Sequence, residues 1–185
     1  MILPIYIYNS EVLRAENHEI DFETINKEEF AQFLENMQQT MENADGVGLA
    51  APQVGKNVRV LIVDGRQLTD TYPELKNFHR IMINPTILEQ SEDTVTYGEG
   101  CLSIPDVHCD VVRPKSLTIS YYDQNFELKT ESLDGFGCRM VQHEMDHLEG
   151  VLFIDKVSPI RKKMIGSKLH NMSKGKFRTH YKTKQ

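Results

Sequence analysis

The sequence predicts an α+β fold, in which short and mostly antiparallel β-sheets pack around a helix near the C-terminus. Strand-like segments in the middle of the chain are few and short, and helices do not separate them as in alternating βαβ folds. An amphipathic helical segment precedes the strands, and a second helical segment, which carries two histidines four residues apart, follows them. The chain contains no internal repeat.

Length and composition indicate one hydrophobic core. The chain has 185 residues, 39% of them hydrophobic, with both signs of charge throughout, as is typical of a soluble globular protein. No apolar run approaches the roughly 20 residues that a membrane-spanning helix requires, so we expect no membrane partner. The apolar start, residues 1–8, lacks a basic leader and a cleavage site, and should form a first strand or packed arm.

The three cysteines, Cys101, Cys109 and Cys138, form an odd set with no repeated spacing. Such a set does not indicate a disulfide framework. We therefore expect reduced thiols in a cytoplasmic protein, and reduced thiols are also what a metal site requires.

The net charge of −6 combines an acidic body with a basic tail. Residues 161–185 contain nine Lys or Arg and no acid, which leaves 12 basic against 27 acidic residues, a charge of −15, in residues 1–160. We divide the chain accordingly into one main domain, residues 1–160, and a basic C-terminal helical tail, residues 161–185, that frays after about Ser173. The tail has either a polyanionic partner or a merely solvating role.

The first elements are a short helical turn at residues 10–14 and a helix over residues 27–42. Apolar side chains recur in this helix at helical spacing: Phe30, Phe33, Leu34, Met37 and Met41. Asn26 precedes the helix, and Glu29 is placed to complete a capping box. We interpret the apolar stripe as a core face without a catalytic role.

A glycine-containing segment follows, with the sequence Gly46-Val47-Gly48-Leu49-Ala50-Ala51-Pro52-Gln53. It is not a phosphate-binding loop, because Ala51 stands where the third glycine of G-x-G-x-x-G would fall. A tight turn before a strand explains the glycines as well as a close approach to a ligand does. Only Gln53, a polar residue after Pro52, points to a function.

The middle of the chain predicts the strands of the sheets. They are expected at residues 58–63, 80–88, 94–97, 109–112, 117–122 and 126–131, with a polar loop at 65–78 and a hairpin turn at 123–125. Leu117, Ile119 and Tyr121 alternate with polar residues, which is typical of a half-buried sheet. Cys101 lies between two of these strands, in a segment that also contains Gly98 and Gly100.

Residues 142–150 contain the pattern His143-Glu144-x-x-His147. Two histidines four apart lie on one face of a helix, so both imidazoles can reach a single point. Glu144 is close enough to contact a water molecule held there, and the pattern is typical of two metal ligands with a carboxylate that moves protons. A solvated helix could carry the same residues by chance, but the apolar side of this segment and Gly150 at its end favour a rigid buried helix.

A catalytic metal ion usually takes a third protein ligand. The extended pattern of many zinc endopeptidases fails here, because Phe153 stands where its last histidine should be. Cys101 is the best candidate, since a thiolate is a strong, soft ligand. We expect Cys109 and Cys138 to be small core residues instead.

Residues 46–53, 99–103 and 142–148 together resemble the three signature motifs of the peptide deformylase family, in order and at suitable separations. The resemblance extends from the first helix to about Pro159, so that residues 1–160 would form a single catalytic domain. It implies a hydrolase that removes the N-terminal formyl group from formyl-methionine of newly synthesised polypeptides and releases formate.

Carried over to this chain, the resemblance implies that Cys101, His143 and His147 bind one divalent metal ion. Fe²⁺ is the usual ion of the family in the cell, and Zn²⁺, Ni²⁺ or Co²⁺ can substitute, since the ligand set suits several metals. The ion would lower the pKa of bound water from about 16 towards about 7, and Glu144 would act as general acid/base while hydroxide attacks the formyl carbon. Gln53 and the Leu102 N–H would donate to the oxyanion.

The resemblance also implies how N-formylmethionyl peptides bind. The peptide would lie as an added strand between Val47–Gly48 and Gly98–Gly100. The methionine side chain would enter an apolar pocket, for which the candidates are Val47, Tyr97, Phe136, Met140 and the ring of His143. Some relatives carry an arginine soon after the cysteine motif, where this chain reads Asp106-Val107-His108.

The resemblance also implies contact of the basic tail with the ribosome, because in some relatives a C-terminal helix docks on ribosomal RNA. We expect no DNA partner. Two alternatives stay open at this point. One is a zinc-dependent endopeptidase, and the other is a non-enzymatic ribosome-binding module with a structural metal, which would require four protein ligands.

Overall fold

The computed structural model describes residues 1–185 and confirms the α+β class. Its helices are α1 (Lys27–Asn43), α2 (Gly135–Leu148) and α3 (Pro159–Ser173). Its strands are β1 (Ile5–Tyr6), β2 (Gly48–Ala50), β3 (Val60–Asp64), β4 (His79–Gln90), β5 (Thr94–Cys101), β6 (Ile104–Pro114), β7 (Leu117–Tyr122), β8 (Leu128–Leu133) and β9 (Thr183–Lys184). None of the helices combines the length and the apolar character required to cross a bilayer.

The strands form one five-stranded sheet and two smaller pairs. The large sheet is antiparallel throughout, in the order β2-β3-β4-β7-β8. Strands β5 and β6 form a separate hairpin, and β1 pairs with β9 in parallel. The predicted turn at 123–125 joins β7 to β8, and Phe126 after it takes a positive φ of 60°.

Strand β3 is buried along its whole length and on both faces. Leu61 and Val63 pack in the cluster that contains the apolar side of α2, whereas Val60 and Ile62 pack in the cluster that contains α1. Successive side chains of a strand point to opposite faces, so a sheet with a helix on each side produces the continuous apolar run seen here. The sheet thereby gives α2 a rigid support.

Helix α1 confirms the predicted start and core face. The Asn26 side chain accepts hydrogen bonds from the N–H groups of Glu28 and Glu29, at 3.1 and 3.2 Å, which satisfies two of the donors left free at a helix start. All residues of the predicted apolar stripe except the half-buried Phe33 are buried. The helix ends one residue later than expected, at Asn43.

The hairpin β5–β6 is longer than the short strands expected at 94–97 and 109–112. Its ladder runs from the pair Thr94–Pro114 to the pair Glu99–Cys109, then shifts register to pair Cys101 with Ile104. Glycine is depleted in strands and often marks such irregularities. Gly98 and Gly100 are therefore the reason why the sequence-based prediction ended this strand at residue 97. Cys101 therefore lies at the tip of a hairpin.

The C-terminal tail packs on the body and does not fray. Ile165, Leu169 and Met172 of α3 are buried in a cluster with the hairpin. Beyond α3, the chain returns and β9 pairs with β1, Thr183 opposite Ile5. The expectation of a frayed end after Ser173 is wrong, because a pairing between such distant residues has no local signal. The division of the chain at residue 160 stays a prediction.

Candidate active site

The two histidines of α2 and the cysteine of the hairpin tip converge on one point. The ligand atoms of Cys101, His143 and His147 all lie within 4.8 Å of one another. Cys101 Sγ is 3.3 Å from Nε2 of His147. One sulfur and two imidazole nitrogens suit a divalent transition metal, and three ligands leave a position for water or substrate. The residues present therefore fit a catalytic metal ion.

The ring of His143 is oriented by Glu99, a residue to which the sequence analysis assigned no role. Glu99 Oε1 lies 2.8 Å from Nδ1 of His143, which leaves Nε2 for the ion. A carboxylate behind a metal-binding histidine is a recurrent arrangement that fixes the ring and its tautomer. Burial would raise the pKa of Glu99, but hydrogen bonds from Arg113 and His143 hold that pKa well below its ordinary value.

Two buried arginines neutralise this glutamate. Arg113 on β6 donates to it through Nε and Nη2, at 2.7 and 2.8 Å, and Arg139 on α2 donates through Nη1. The side chains of Glu99, Arg113 and Arg139 are 4%, 3% and 2% exposed. Arg113 also binds Asp146, one of the two intervening residues of the histidine pattern, at 2.6 Å. The sequence pattern could have indicated Arg113, because alternate residues of β6 are buried and Arg113 is one of them, together with Cys109 and Val111. An arginine at a buried position requires an acidic partner.

The two histidines differ in their surroundings. Burial lowers the pKa of His147 well below its ordinary value, which keeps the ring neutral as a ligand must be. Its Nδ1 is buried without a hydrogen-bond partner. Burial would also lower the pKa of His143, but hydrogen bonds to Cys101 and Glu99 raise it well above the ordinary value.

Glu144 presents a buried carboxylate to the same cavity. The residue is 5% exposed, and its Oε2 has no hydrogen-bond partner. Burial raises the pKa of this carboxyl to about 7, and a group of that pKa can both accept and release a proton near neutrality. An unpartnered, buried carboxylate oxygen requires a ligand or water to satisfy it.

Glu144 also explains one of the two glycines of the early motif. A Cβ on Gly48 would collide with Glu144 Oε1, and one on Gly46 would lie 2.7 Å from Leu102 Cδ1. Neither glycine has a positive φ. Both glycines are therefore required by the close approach of side chains of this chain. The turn before the strand takes its positive φ at Asp45 and not at either glycine, and close approach to a ligand stays a prediction.

Gln53 and Leu102 supply two donors on the hairpin side. The side-chain oxygen of Gln53 accepts from the Ala50 N–H at 2.9 Å, which directs Nε2 towards Ser103 Oγ, at 3.1 Å, and Cys101 Sγ, at 3.5 Å. The Leu102 N–H makes no hydrogen bond within the chain. Both residues line the cavity beside the ligands.

This cavity has a volume of about 380 Å³ and brings together most of the predicted substrate residues. Its lining includes Val47, Gly48, Gln53, Gly98, Gly100, Cys101, Leu102, Phe136, Met140, His143 and Glu144, together with Asp106 and His108. Tyr97 is not part of the lining, since its ring lies against the edge of Phe136, with centroids 5.6 Å apart. Tyr72, from the loop whose role the sequence left unassigned, stacks on Phe136 at 4.4 Å.

Comparisons with known proteins agree with this geometry. The family model described as polypeptide deformylase matches residues 2–163. The peptide deformylase of Flavobacterium psychrophilum is 46% identical over an alignment that covers 100% of this chain and 97% of that protein. The structure of peptide deformylase 1B of Arabidopsis thaliana, in complex with an inhibitor, matches with a TM-score of 0.82 at 35% identity, covering 94% of this chain and 91% of that one. The structure from Thermotoga maritima matches with a TM-score of 0.76 at 36% identity, covering 86% and 99%.

Proposed function

The chain belongs to the peptide deformylase family, and we propose that Cys101, His143 and His147 hold the divalent metal ion with which it works. It is a hydrolase of protein biosynthesis that removes the N-formyl group from nascent polypeptides. Neither the endopeptidase nor the non-enzymatic module is supported by these relatives. The observation that carries the proposed site is the convergence of three ligand atoms within 4.8 Å, beside the unpartnered carboxylate of Glu144.

The residues around the ligands have distinct roles in this proposal. When bound, the ion supplies Lewis acidity, which lowers the pKa of water and polarises the formyl oxygen. Glu144 accepts a proton from the attacking water at its free Oε2 and later delivers a proton to the departing amine nitrogen. Gln53 Nε2 and the Leu102 N–H donate to the formyl oxygen as negative charge builds on it.

The substrate is an N-formylmethionyl peptide held mainly through its backbone. We place it as an added strand between Val47–Gly48 and Gly98–Gly100, where both segments border the cavity. The methionine side chain then lies against Val47, Phe136 and Met140. Tyr97 would support the ring of Phe136 and would not itself contact the methionine side chain.

Fe²⁺ is the ion we propose in the cell, with Zn²⁺, Ni²⁺ or Co²⁺ able to occupy the same ligands. The three cysteines are free thiols, which agrees with a reducing cytoplasm as the place of action. Metal analysis of protein purified without oxygen tests the choice of ion. Zinc alone in fully active protein would contradict it.

A formate-release assay on a formyl-Met peptide tests the proposed site. We expect Glu144→Ala to retain one metal ion per chain and to lose about 100- to 10,000-fold in turnover, because only the proton transfers are removed. Cys101→Ser should lose metal as well as activity. The unformylated peptide serves as a control and should not be cleaved by the wild-type protein. Substantial turnover by metal-loaded Glu144→Ala would remove this residue from the mechanism.

For the basic tail we propose contact with ribosomal RNA. All nine basic side chains of residues 161–185 are exposed, and Ile160 and Met164, beside three of them, are 76% and 68% exposed. Cations that neutralise phosphates make binding strongly salt-dependent. Such contact would hold the enzyme near emerging chains.

A charge-reversal experiment tests this contact better than truncation, because truncation would remove the buried side chains of α3. We expect the triple variant Arg161→Glu, Lys162→Glu and Lys163→Glu to lose co-sedimentation with ribosomes at low salt. The matched control is the triple variant Lys27→Glu, Lys56→Glu and Lys76→Glu, at exposed positions outside the tail. Equal sedimentation of the two variants would refute the contact.

A further inference from the structure

We propose that Tyr181 is a positioning residue for the oxyanion donor at Leu102. The inference rests on the proposed function, because it concerns the same donor. The Tyr181 hydroxyl donates a hydrogen bond of 2.7 Å to the Leu102 carbonyl. Leu102 directly follows Cys101, and its own N–H points to no partner within the chain. The C-terminal segment thus holds the residue that supplies a donor to the cavity.

Leu102 lies in the turn between β5 and β6, where the ladder of the hairpin does not fix its backbone. A hydrogen bond from outside the hairpin is therefore needed to restrain it. The register of β5 and β6 shifts between Glu99 and Cys101, and Leu102 lies outside both strands. The next carbonyl, that of Ser103, accepts from the Tyr8 N–H at 2.7 Å. Two consecutive carbonyls are therefore held by hydrogen bonds, one from the segment after β1 and one from Tyr181.

Tyr181 itself is firmly held. Its backbone carbonyl accepts from Thr179 Oγ1 at 2.8 Å, and the Ile5 N–H donates to Lys182 O at 2.9 Å. Its ring and the side chain of Leu102 both pack at the edge of the α1 cluster. A side chain fixed at both its backbone and its ring loses little further freedom when its hydroxyl bonds. It can therefore impose an orientation on its partner.

Without the hydroxyl, the Leu102 carbonyl loses its hydrogen bond, and the peptide after Leu102 is less restrained against rotation. Rotation there tilts the adjoining peptide, which carries the Leu102 N–H. A donor must lie within a few tenths of an ångström of its best position to act on developing charge. We therefore expect the hydroxyl to affect turnover more than substrate affinity.

The test compares two tyrosine-to-phenylalanine variants of the metal-loaded full-length protein. Tyr122 is the matched control, because it packs at the edge of the same cluster and its hydroxyl makes no hydrogen bond within the chain. We expect Tyr181→Phe to lower kcat by about 3- to 10-fold, the equivalent of one net hydrogen bond, with KM and metal content unchanged. Tyr122→Phe should match the wild type.

Hydrogen exchange provides a readout that does not depend on catalysis. In both metal-free and metal-loaded protein, amides of residues 101–103 should exchange faster in Tyr181→Phe than in Tyr122→Phe. Equal kcat values, or equal exchange in this segment, would overturn the inference.

A third variant separates this inference from the proposed function. If Gln53→Ala loses activity and Tyr181→Phe does not, the donor pair stands and the role of Tyr181 is refuted. If Gln53→Ala keeps full kcat, Gln53 is not an oxyanion donor, and the role of Tyr181 is decided by its own kcat and exchange. Loss of kcat in both variants supports both.

Discussion

The two halves of the site are built in opposite ways. The helix half consists of His143, Glu144 and His147, which lie within five residues of one another on α2. The hairpin half consists of Cys101 and Leu102, which are consecutive at the hairpin tip, and of Gln53, which reaches the same cavity from a separate segment after β2. Helical periodicity alone sets the first arrangement, whereas the second depends on contacts between residues far apart in sequence. The helix half is thus a local structure, and the hairpin half is a tertiary one.

Glu99 connects the two halves, and its removal should have the largest effect. Glu99→Ala leaves the buried Arg139 without a carboxylate and Arg113 with Asp146 alone, and loss of one partner of a buried ion pair typically costs about 3–5 kcal/mol in the free energy of unfolding. It also frees the His143 ring, so metal affinity should fall about 10- to 100-fold. Urea unfolding of metal-free protein and competition with a chelator measure the two effects. Glu89, an exposed residue of β4, serves as the control, and equal losses in Glu89→Ala would show that neither effect is specific.

Gln53→Ala tests the hairpin half alone. Loss of one oxyanion donor typically lowers kcat about 100- to 1000-fold, or about 3–4 kcal/mol. KM and metal content should change little, since neither the ligands nor the peptide-binding segments are altered. Ser103→Ala removes one of the two side-chain partners of Gln53 Nε2 and leaves the amide itself in place, so it should cause a smaller loss. If the two variants are equally impaired, the effect of Gln53 is structural.

Gly48→Ala tests how closely the halves approach. Its Cβ would collide with Glu144 Oε1, and displacement of a catalytic group by about 1 Å can lower activity about 100-fold. The matched control is Gly166→Ala on α3, where an added Cβ meets nothing within 4 Å. That control should stabilise the protein by about 0.5–1 kcal/mol, as alanine does in helices, with unchanged deformylation. Full activity in Gly48→Ala would show that Glu144 adjusts freely.

Arg14→Ala should have the smallest effect. Arg14 donates to Asp155 and to the Gly150 carbonyl, in the segment that follows α2. Burial would raise the pKa of Asp155, but hydrogen bonds from Arg14 and the Leu152 N–H lower it. The ion pair therefore stabilises the fold at pH values above the ordinary pKa of aspartate and is lost as the pH falls through the lowered one. Arg14→Ala should cost about 0.2–1 kcal/mol at pH 7, because the pair is partly exposed.

Unfolding measurements at pH 7 and at pH 3 check this sign. The difference between wild type and Arg14→Ala should shrink in acid, and formate release should be unchanged. A difference that grows in acid would contradict the assignment of Asp155 as the titrating partner.

The same contrast explains what could be predicted from the sequence. Periodicity predicted α1, α2 and the strand at 117–122, and metal chemistry selected Cys101 over two cysteines that are buried in the core. Glu99 was missed, because a buried carboxylate is recognisable only when its partners, from β6 and α2, are brought to it. The return of the chain to β1 was missed for the same reason.

The stacking of Tyr72 on Phe136 has a consequence for inhibitors. The two rings are nearly parallel, with an interplanar angle of 4°, so this wall of the cavity cannot tilt outward unless the surface loop moves with it. Substitutions at Tyr72 should therefore alter tolerance for bulky inhibitors while leaving every ligand and proton donor in place. Resistance to such compounds would then arise from a residue outside the cavity. Dissociation constants of inhibitors of increasing size, compared between the wild type and Tyr72 variants, would reveal this effect.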